Sequence, residues 1–280
     1  MGSTMVDALE LEEVGPRCFR AENLPGTQGV VFGGQLLAQA IAAAARVSDG
    51  MTMKSMHTVF ARGGDPEQPL ELQVEEIHRG RTFASATVSI SQGERLCTQS
   101  LVLLHHPDEE FVTYRDPPPE TPAPEHCPAS SGRDGWDVRI VGGVNVYDPD
   151  EVGPPELNVW SRFTDVPDAT WASQALLAYA SDGFLIGTAM RPHPGAGMSL
   201  AHVSISTSVI TQTLAFHDDF DAGEWLLLAH HSPHAGRGRS FGRADVFTQD
   251  GRLVASYEQE NMIRAYAADR QPAPGERSKY

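Results

Sequence analysis

A repeated sequence pattern constrains the fold of this chain more than any other feature. Arg79-Gly80-Arg81-Thr82-Phe83 begins a strand-like stretch that reaches Gln92-Gly93-Glu94-Arg95-Leu96. A second such stretch begins at Arg237-Gly238-Arg239-Ser240-Phe241 and reaches Gln249-Asp250-Gly251-Arg252-Leu253. The offset between the copies is 158 residues at the first motif (237 − 79) and 157 at the second (253 − 96). This spacing predicts a duplicated structural unit, with any active site between two halves that have since diverged.

Composition limits the classes of protein that the chain can belong to. Its 280 residues suffice for one large domain or two of ordinary size, and 40% of them are hydrophobic, which is typical of a globular protein. The net charge of −16 argues against binding to nucleic acid or to anionic membranes. No apolar run approaches the roughly 18 residues of a membrane span, and the N-terminus carries no signal sequence. We therefore expect a cytoplasmic protein that does not insert into membranes.

The sequence predicts neither a metal site nor an organic cofactor. Cys18, Cys97 and Cys127 lie far apart and form no C-x-x-C pair, which argues against a disulfide framework or structural zinc. The segment His230-His231-Ser232-Pro233-His234 suggests metal ligands, but its proline and the lack of nearby acidic partners favour a solvated strand end. Phosphate-loop and dinucleotide fingerprints are absent from the sequence.

Each half of the chain predicts one helix followed by four strands. In the first half, Gly33 and Gly34 begin an alanine-rich helix that runs to Arg46, and its apolar residues on almost every side predict burial. In the second half, Asp168 is expected to cap a single helix from about Ala169 to Met190. The predicted strands lie at about 53–62, 70–79, 82–92 and 95–105 in the first half, and at about 203–216, 224–232, 237–248 and 252–264 in the second.

Residues 107–135 are rich in proline and predict a linker that forms neither helix nor strand. We divide the chain accordingly into an N-terminal unit at 1–106, a linker at 107–150, a C-terminal unit at 151–266 and a disordered tail at 267–280. The pattern alone supports an α+β fold, antiparallel and duplicated.

Several separated segments resemble one known family. Val31-Phe32-Gly33-Gly34-Gln35-Leu36-Leu37-Ala38-Gln39-Ala40 is similar to the opening helix of the type II acyl-CoA thioesterases, and Tyr179-Ala180-Ser181-Asp182 is similar to their second helix. Four further segments recur in the family's order and spacing: Phe216-His217, Glu224-Trp225-Leu226-Leu227, Arg237-Gly238-Arg239 and Gln259-Glu260-Asn261-Met262-Ile263-Arg264. The resemblance implies a double hotdog, in which two tandem antiparallel sheets each curl around a helix. It also implies a fatty acyl-CoA thioesterase without metal or cofactor, assembled as a homodimer or larger even oligomer.

The resemblance also implies a catalytic site. In this family an aspartate, a serine or threonine, and a glutamine hold the water that attacks the thioester. Asp182 stands at the position of the aspartate and Gln259 at that of the glutamine, whereas the position of the hydroxyl falls on Val209. Because alternate residues of a strand share a face, we expect Thr207 and Thr211 to point the same way as Val209. Thr211 is the substitute that we predict.

The expected chemistry needs no nucleophilic side chain, and the sequence has no Gly-x-Ser-x-Gly elbow. Asp182 would act as the general base, with a pKa raised by its apolar neighbours. Gln259 can both accept from water and donate to it. Backbone N–H groups near Gly33 and Gly34 would stabilise the oxyanion.

Alternative interpretations remain at the level of the sequence. Asp182 could merely cap exposed N–H groups at a helix break, and Gln259 could be a buried strand residue satisfied by the backbone. The two Arg-Gly-Arg segments could bind the phosphates of coenzyme A or serve turn geometry. The loss of the hydroxyl at Val209 lends some weight to one rival of the thioesterase, a catalytically impaired acyl-CoA-binding protein. An acyl-CoA hydratase would need a histidine shortly after the aspartate, and the first one after Asp182 is His193.

Overall fold

The computed structural model describes residues 4–25, 29–130 and 135–266. The described part of the first half contains one α-helix and six strands: β1 (Glu12–Gly15), β2 (Cys18–Ala21), α1 (Gly33–Arg46), β3 (Thr52–Phe60), β4 (Leu70–Arg79), β5 (Phe83–Gln92) and β6 (Arg95–His105). Among its described residues the second half contains two α-helices and seven strands: β7 (Ala129–Ser130), β8 (Trp136–Ile140), β9 (Glu156–Phe163), α2 (Thr170–Ser181), α3 (Leu185–Met190), β10 (Ile205–Phe216), β11 (Leu226–Gly236), β12 (Arg239–Thr248) and β13 (Leu253–Ala265).

The order of the strands in the sheet repeats between the halves. The first half runs β2-β4-β5-β6-β3 and the second runs β9-β11-β12-β13-β10. The paired strands of the described chain are antiparallel. β3 pairs with β10, from Val59 opposite Thr211 to Ser55 opposite Ala215, and this seam joins the halves into one sheet. The predicted α+β double hotdog is therefore confirmed.

The repeated motifs lie at equivalent turns of the two halves. The first motif forms the turn between β4 and β5 in one half and between β11 and β12 in the other. The second motif forms the turn between β5 and β6, and again between β12 and β13. Glycine with a positive φ occurs at Gly93 and Gly251 in this second pair of turns, a conformation that glycine adopts without a steric penalty.

Helices α1 and α2 pack against each other inside the curled sheet. A β-carbon built on Gly34 would lie 2.3 Å from the carbonyl oxygen of Tyr179, so the two backbones meet at their closest approach there. Leu37 and Ile41 are fully buried on α1, and burial of such a side chain stabilises a fold by about 1.5–3 kcal/mol. The small residues that flank them let the second helix come close.

The second half does not contain the single helix that its sequence predicts. α2 ends at Ser181 and α3 begins at Leu185, with Asp182 as the C-cap residue of α2. The predicted helix from Ala169 to Met190 is therefore wrong, because Gly183 and the short polar side chains before it favour a break. The expected cap is wrong as well, since Ala169 occupies the N-cap position of α2 and no side chain caps it.

The proline-rich segment is more structured than its sequence predicts. It contains β7 and a short 3-10 turn at Pro124–His126, and Trp160 Nε1 donates to the carbonyl oxygen of Pro122 at 3.0 Å. The pattern also failed to predict β1, β2, β8 and β9, which are short or lie outside the helix-and-four-strands repeat. The tail expected at 267–280 lies outside the described residues. Within the described ranges, no helix is long and apolar enough to cross a membrane.

Candidate active site

Two helix ends from different halves of the chain meet at Asp182. The Gly34 N–H at the start of α1 donates to Asp182 Oδ2 at 2.9 Å. Phe32, the N-cap residue of α1, provides no side-chain cap, so the carboxylate from the second half takes that role. A helix N-terminus carries a partial positive charge that favours a nearby anion. The interpretation of Asp182 as a capping residue is thus correct in part, but the helix that it caps is the one in the other half.

Glycine at position 33 lets the carboxylate approach this helix end. A β-carbon on Gly33 would lie 2.8 Å from Asp182 Oδ2 and 3.0 Å from Phe60 Cε1. Contacts below 3.0 Å are closer than a carbon and an oxygen tolerate without a shift of one of them. The Gly33-Gly34 pair therefore has two separate packing functions, one toward Asp182 and one toward α2.

Gln259 reaches the same carboxyl group from the last strand. Its Nε2 donates to Asp182 Oδ1 at 3.1 Å and to Gln212 Oε1 at 2.7 Å. The structure thus brings together Asp182 and Gln259, the two residues that match the family's pattern. It also adds Gln212, which no motif of the sequence indicates.

A chain of hydrogen bonds fixes the orientation of these amides. Ser181 Oγ donates to the carbonyl oxygen of Ala178 at 2.7 Å, and a carbonyl can only accept. Ser181 Oγ therefore accepts from Gln212 Nε2. Gln212 must then turn its oxygen toward Gln259, and Gln259 presents its nitrogen to both Gln212 and Asp182. The remaining atom of that amide, Gln259 Oε1, is buried and has no hydrogen-bond partner.

Asp182 titrates far from the ordinary range of a carboxylic acid. Removal of the carboxyl group from water raises its pKa to about 7, although the hydrogen bonds from Gly34 and Gln259 oppose the shift. The residue as a whole is partly exposed, but both carboxyl oxygens are occupied by protein donors. An acid with this pKa can accept a proton and release it again near neutral pH.

A buried histidine and tyrosine lie beyond the carboxylate and do not share its behaviour. His230 Nδ1 lies 2.9 Å from the Leu157 carbonyl oxygen, and its Nε2 lies 2.5 Å from the Tyr257 hydroxyl. Because the carbonyl can only accept, Nδ1 carries the hydrogen and Nε2 accepts from the tyrosine. Burial lowers the pKa of His230 to about 4 and raises that of Tyr257 well above its usual value. Both groups are therefore neutral at pH 7.

A β-bulge in β10 decides which side chain faces Gln259. Val209 pairs with Asn261, but the next paired residue is Thr211, opposite Glu260. The extra residue shifts the alternation, so Gln212 is fully buried on the inner face, opposite Gln259. Thr211 lies on the outer face, where its other neighbour, Val59, is 43% exposed. The expectation that Thr211 shares a face with Val209 is therefore wrong.

The sequence carries little signal for Gln212. It lies in the segment Ile210-Thr211-Gln212, which belongs to none of the segments that resemble the family. A bulge of this kind inserts one residue without requiring glycine or proline, so strict alternation cannot reveal it. The buried residues on the inner face of β10 show this shift, because they change from an odd position before the bulge to even positions after it: Thr207, then Gln212, Leu214 and Phe216.

The other motifs that the sequence offers as candidate sites make contacts that support the fold. His230 is buried rather than solvated, and no cluster of metal-ligating side chains occurs in the described ranges. Arg79 donates to the carbonyl oxygens of Val47 and Ser48 at the end of α1, at 2.9 and 3.2 Å. This arginine therefore stabilises a helix C-terminus, as cations do there. A cavity of about 310 Å³ opens at the opposite ends of the helices, beside Trp171, and does not include the carboxylate.

Together, the double hotdog and the carboxylate held by an amide define the class of hotdog-fold thioester hydrolases. The family model described as the C-terminal domain of acyl-CoA thioesterases matches residues 115–263, and that of the N-terminal domain matches residues 23–105. The chain belongs to the acyl-CoA thioesterase family, of the type II group that its motifs resemble, and it is a thioester hydrolase.

Individual relatives agree with this assignment over nearly the whole chain. Acyl-CoA thioesterase 2 of Haemophilus influenzae is 27% identical, over 94% of this chain and 97% of that protein. Human acyl-coenzyme A thioesterase 8 is also 27% identical, over 91% of this chain and 87% of that protein. The crystal structure of the acyl-CoA thioesterase II TesB2 from Mycobacterium marinum superposes with a TM-score of 0.81 at 28% identity, covering 94% of this chain and 99% of that one.

Proposed function

We propose that this protein hydrolyses fatty acyl-CoA to the free fatty acid and coenzyme A, with Asp182 as the general base and Gln259 as its partner in holding the attacking water. One observation carries the proposal. Gln259 uses both N–H groups of its amide on Asp182 and Gln212, and its buried Oε1 has no partner beside a carboxyl group whose pKa is about 7.

A water molecule satisfies both groups at once. An unpaired buried acceptor costs about 1–3 kcal/mol, so Gln259 Oε1 favours a donor strongly. A water that gives one hydrogen to Gln259 Oε1 and the other to Asp182 keeps a lone pair of its oxygen free. That lone pair is the nucleophile that a thioester needs, because a thioester has weak resonance and a good leaving group.

The steps balance without any further reactant. The water oxygen forms a bond to the thioester carbonyl carbon while its proton moves to Asp182. The carbon–sulfur bond then breaks, and Asp182 returns the proton to the departing thiolate. Gly34 N–H is already occupied by Asp182, so of the two glycines expected to stabilise the oxyanion, only Gly33 remains a candidate donor.

The seam between the halves offers a route for the substrate. The pairing of β3 with β10 runs no further than Val59 and Thr211, while β10 continues toward Ile205 beside β13. Val209, Gly33 and Asp182 border this opening and are partly exposed. The acyl chain would enter the apolar interior here, with coenzyme A left at the surface. Assembly into a homodimer or larger even oligomer remains a prediction.

The test compares hydrolysis with binding in the wild type and in Asp182→Asn. Thiol release would be measured with short, medium and long acyl-CoAs, and binding by calorimetry with a non-hydrolysable acyl-CoA. We expect release by the wild type and at least about a hundredfold slower release by the variant, with similar binding by both. Tight binding by the wild type without thiol release would instead identify an acyl-CoA-binding protein that is not a catalyst.

A further inference from the structure

Asn261 is a second buried amide on the inner face of β13, two residues beyond Gln259. Its side chain is fully buried, and its Nδ2 donates to Ser240 Oγ at a long 3.4 Å. Its Oδ1 has no hydrogen-bond partner. A buried acceptor in this state is destabilising, so it favours a donor that arrives from outside the chain.

Asn261 lies next to the position where the family's pattern has a hydroxyl and this chain does not. The register of the sheet places Asn261 opposite Val209, where the resemblance expects a hydroxyl. The polar group absent from β10 is thus replaced by a polar group directly across the ladder on β13. Directly opposite residues have their β-carbons about 4.5–5.5 Å apart, so the amide lies within side-chain reach of the same space.

The nucleophilic water cannot be the missing donor to Asn261. A water has two hydrogens, and the proposed mechanism assigns one to Asp182 and the other to Gln259 Oε1. The donor must therefore come from elsewhere, and the substrate carries one nearby. In an acyl-CoA, the nitrogen of the first amide in the pantetheine arm is four bonds from the thioester carbon.

We propose that Asn261 Oδ1 accepts a hydrogen bond from this amide N–H and so positions the thioester over the water. The inference rests on the proposed function. Residues two apart on one strand are about 7 Å apart, which suits one group at the water and the other at the amide. Val209 is partly exposed beside the opening of the seam, so the arm reaches Asn261 by passing over an apolar side chain.

Two synthetic thioesters test this inference on the wild-type protein. One is an S-acyl-N-acetylcysteamine, which keeps the amide N–H, and the other is the same thioester of 2-acetoxyethanethiol, in which oxygen replaces that N–H. We expect kcat/KM for the amide substrate to be higher by about tenfold, the effect of one buried hydrogen bond. Equal values would overturn the inference, whereas absence of thiol release from acyl-CoA itself in the same assay would overturn the proposed function.

Variants separate positioning from a structural role. Asn261→Leu should lower kcat/KM for the amide substrate about tenfold more than for the ester substrate. Thr98→Val is the matched control, since it also removes a buried oxygen without a partner but lies three strands away, on β6. The control should keep the wild-type preference for the amide substrate. Equal losses on both substrates with Asn261→Leu would overturn the proposed contact.

Discussion

Asp182 is subject to opposing electrostatic effects, and their balance sets its chemistry. Burial raises the pKa of the carboxyl group, while the hydrogen bonds from Gly34 and Gln259 lower it. With burial alone the base would stay protonated at neutral pH, and with the hydrogen bonds alone it would be too weak to accept a proton. The resulting pKa of about 7 is close to the optimum for the general base that we propose, which would gain and lose a proton in each turnover.

The first prediction concerns the pH dependence of turnover. In the proposed mechanism Asp182 acts as a base only when it is ionised, so kcat/KM should rise with pH and level off above the pKa of about 7. Thiol release measured between about pH 5 and pH 9 should give a midpoint near this value. The residual activity of Asp182→Asn should lack the transition. A wild-type rate that is constant across neutral pH would contradict the assignment of Asp182 as the base.

The second prediction compares adjacent residues of β10. Gln212→Leu removes the acceptor that holds the Gln259 amide, so kcat should fall about tenfold, the usual scale for loss of a buried hydrogen bond. Thr211→Val is the matched control, because the bulge turns this residue to the outer face. Its kcat should stay within about twofold of the wild type. A larger loss with Thr211→Val than with Gln212→Leu would support the residue that the sequence first suggested.

The sequence was sufficient to find Asp182 and Gln259 but not the residues that orient them. Both are recognisable because they lie within motifs that keep the family's order. Gln212 and Ser181 act through an amide orientation that depends on tertiary contacts. Asn261 is visible in the sequence, but only the register of β10 and β13 relates it to Val209. The sequence therefore predicts which reactive side chains the site contains. It does not predict the neighbouring residues that orient those side chains.

At the scale of elements, the break between α2 and α3 creates the site. Most strands after the helices were predicted within about two residues of their observed bounds, because hairpin turns and alternation fix them. The exception is β11, which was expected to end at about residue 232 and ends at Gly236. The sequence offers a helix break at Asp182 only as an alternative to a continuous helix, and in the structure the helix after the break, α3, packs against β11 and β12. In a continuous helix, Asp182 would lie in the interior of the helix and not at its end. The break makes it the C-cap residue of α2, beside the start of α1.

The third prediction tests the close approach of α1 to the carboxylate. A β-carbon in Gly33→Ala would lie 2.8 Å from Asp182 Oδ2, so the carboxyl group must move from its bonds to Gly34 and Gln259. Such a displacement should lower kcat/KM by about tenfold or more. Gly15→Ala is the matched control, because its nearest contacts are ordinary ones at 3.7 and 3.8 Å. Wild-type activity in Gly33→Ala would show that the carboxylate does not need its present position.

On the scale of the whole molecule, the proposed site draws on both halves of the duplicated chain. The first half contributes the start of α1, and the second half contributes Asp182, Gln212 and Gln259. At the C-terminal end of α1, Arg79 binds the helix carbonyls and pairs with Asp49, whose side chain is 81% exposed. The first copy of the repeated Arg-Gly-Arg motif therefore makes a structural contact, and the repeat by itself does not locate the proposed site.

The fourth prediction concerns the contacts that hold the two halves of the chain together. The halves are joined by the β3–β10 seam and by the packing of α1 on α2, so covalent continuity through the exposed residues 106–117 is not needed. A protease site inserted after Asp108 should be cut without separation of the fragments on gel filtration. The cut protein should keep at least about half of its turnover, because exposed segments of this kind tolerate nicking. The uncut insertion variant is the control for the insertion itself. Fragments that stay together but lose activity would show that the linker contributes to the site, and fragments that separate would show that the seam is too weak to hold the two halves.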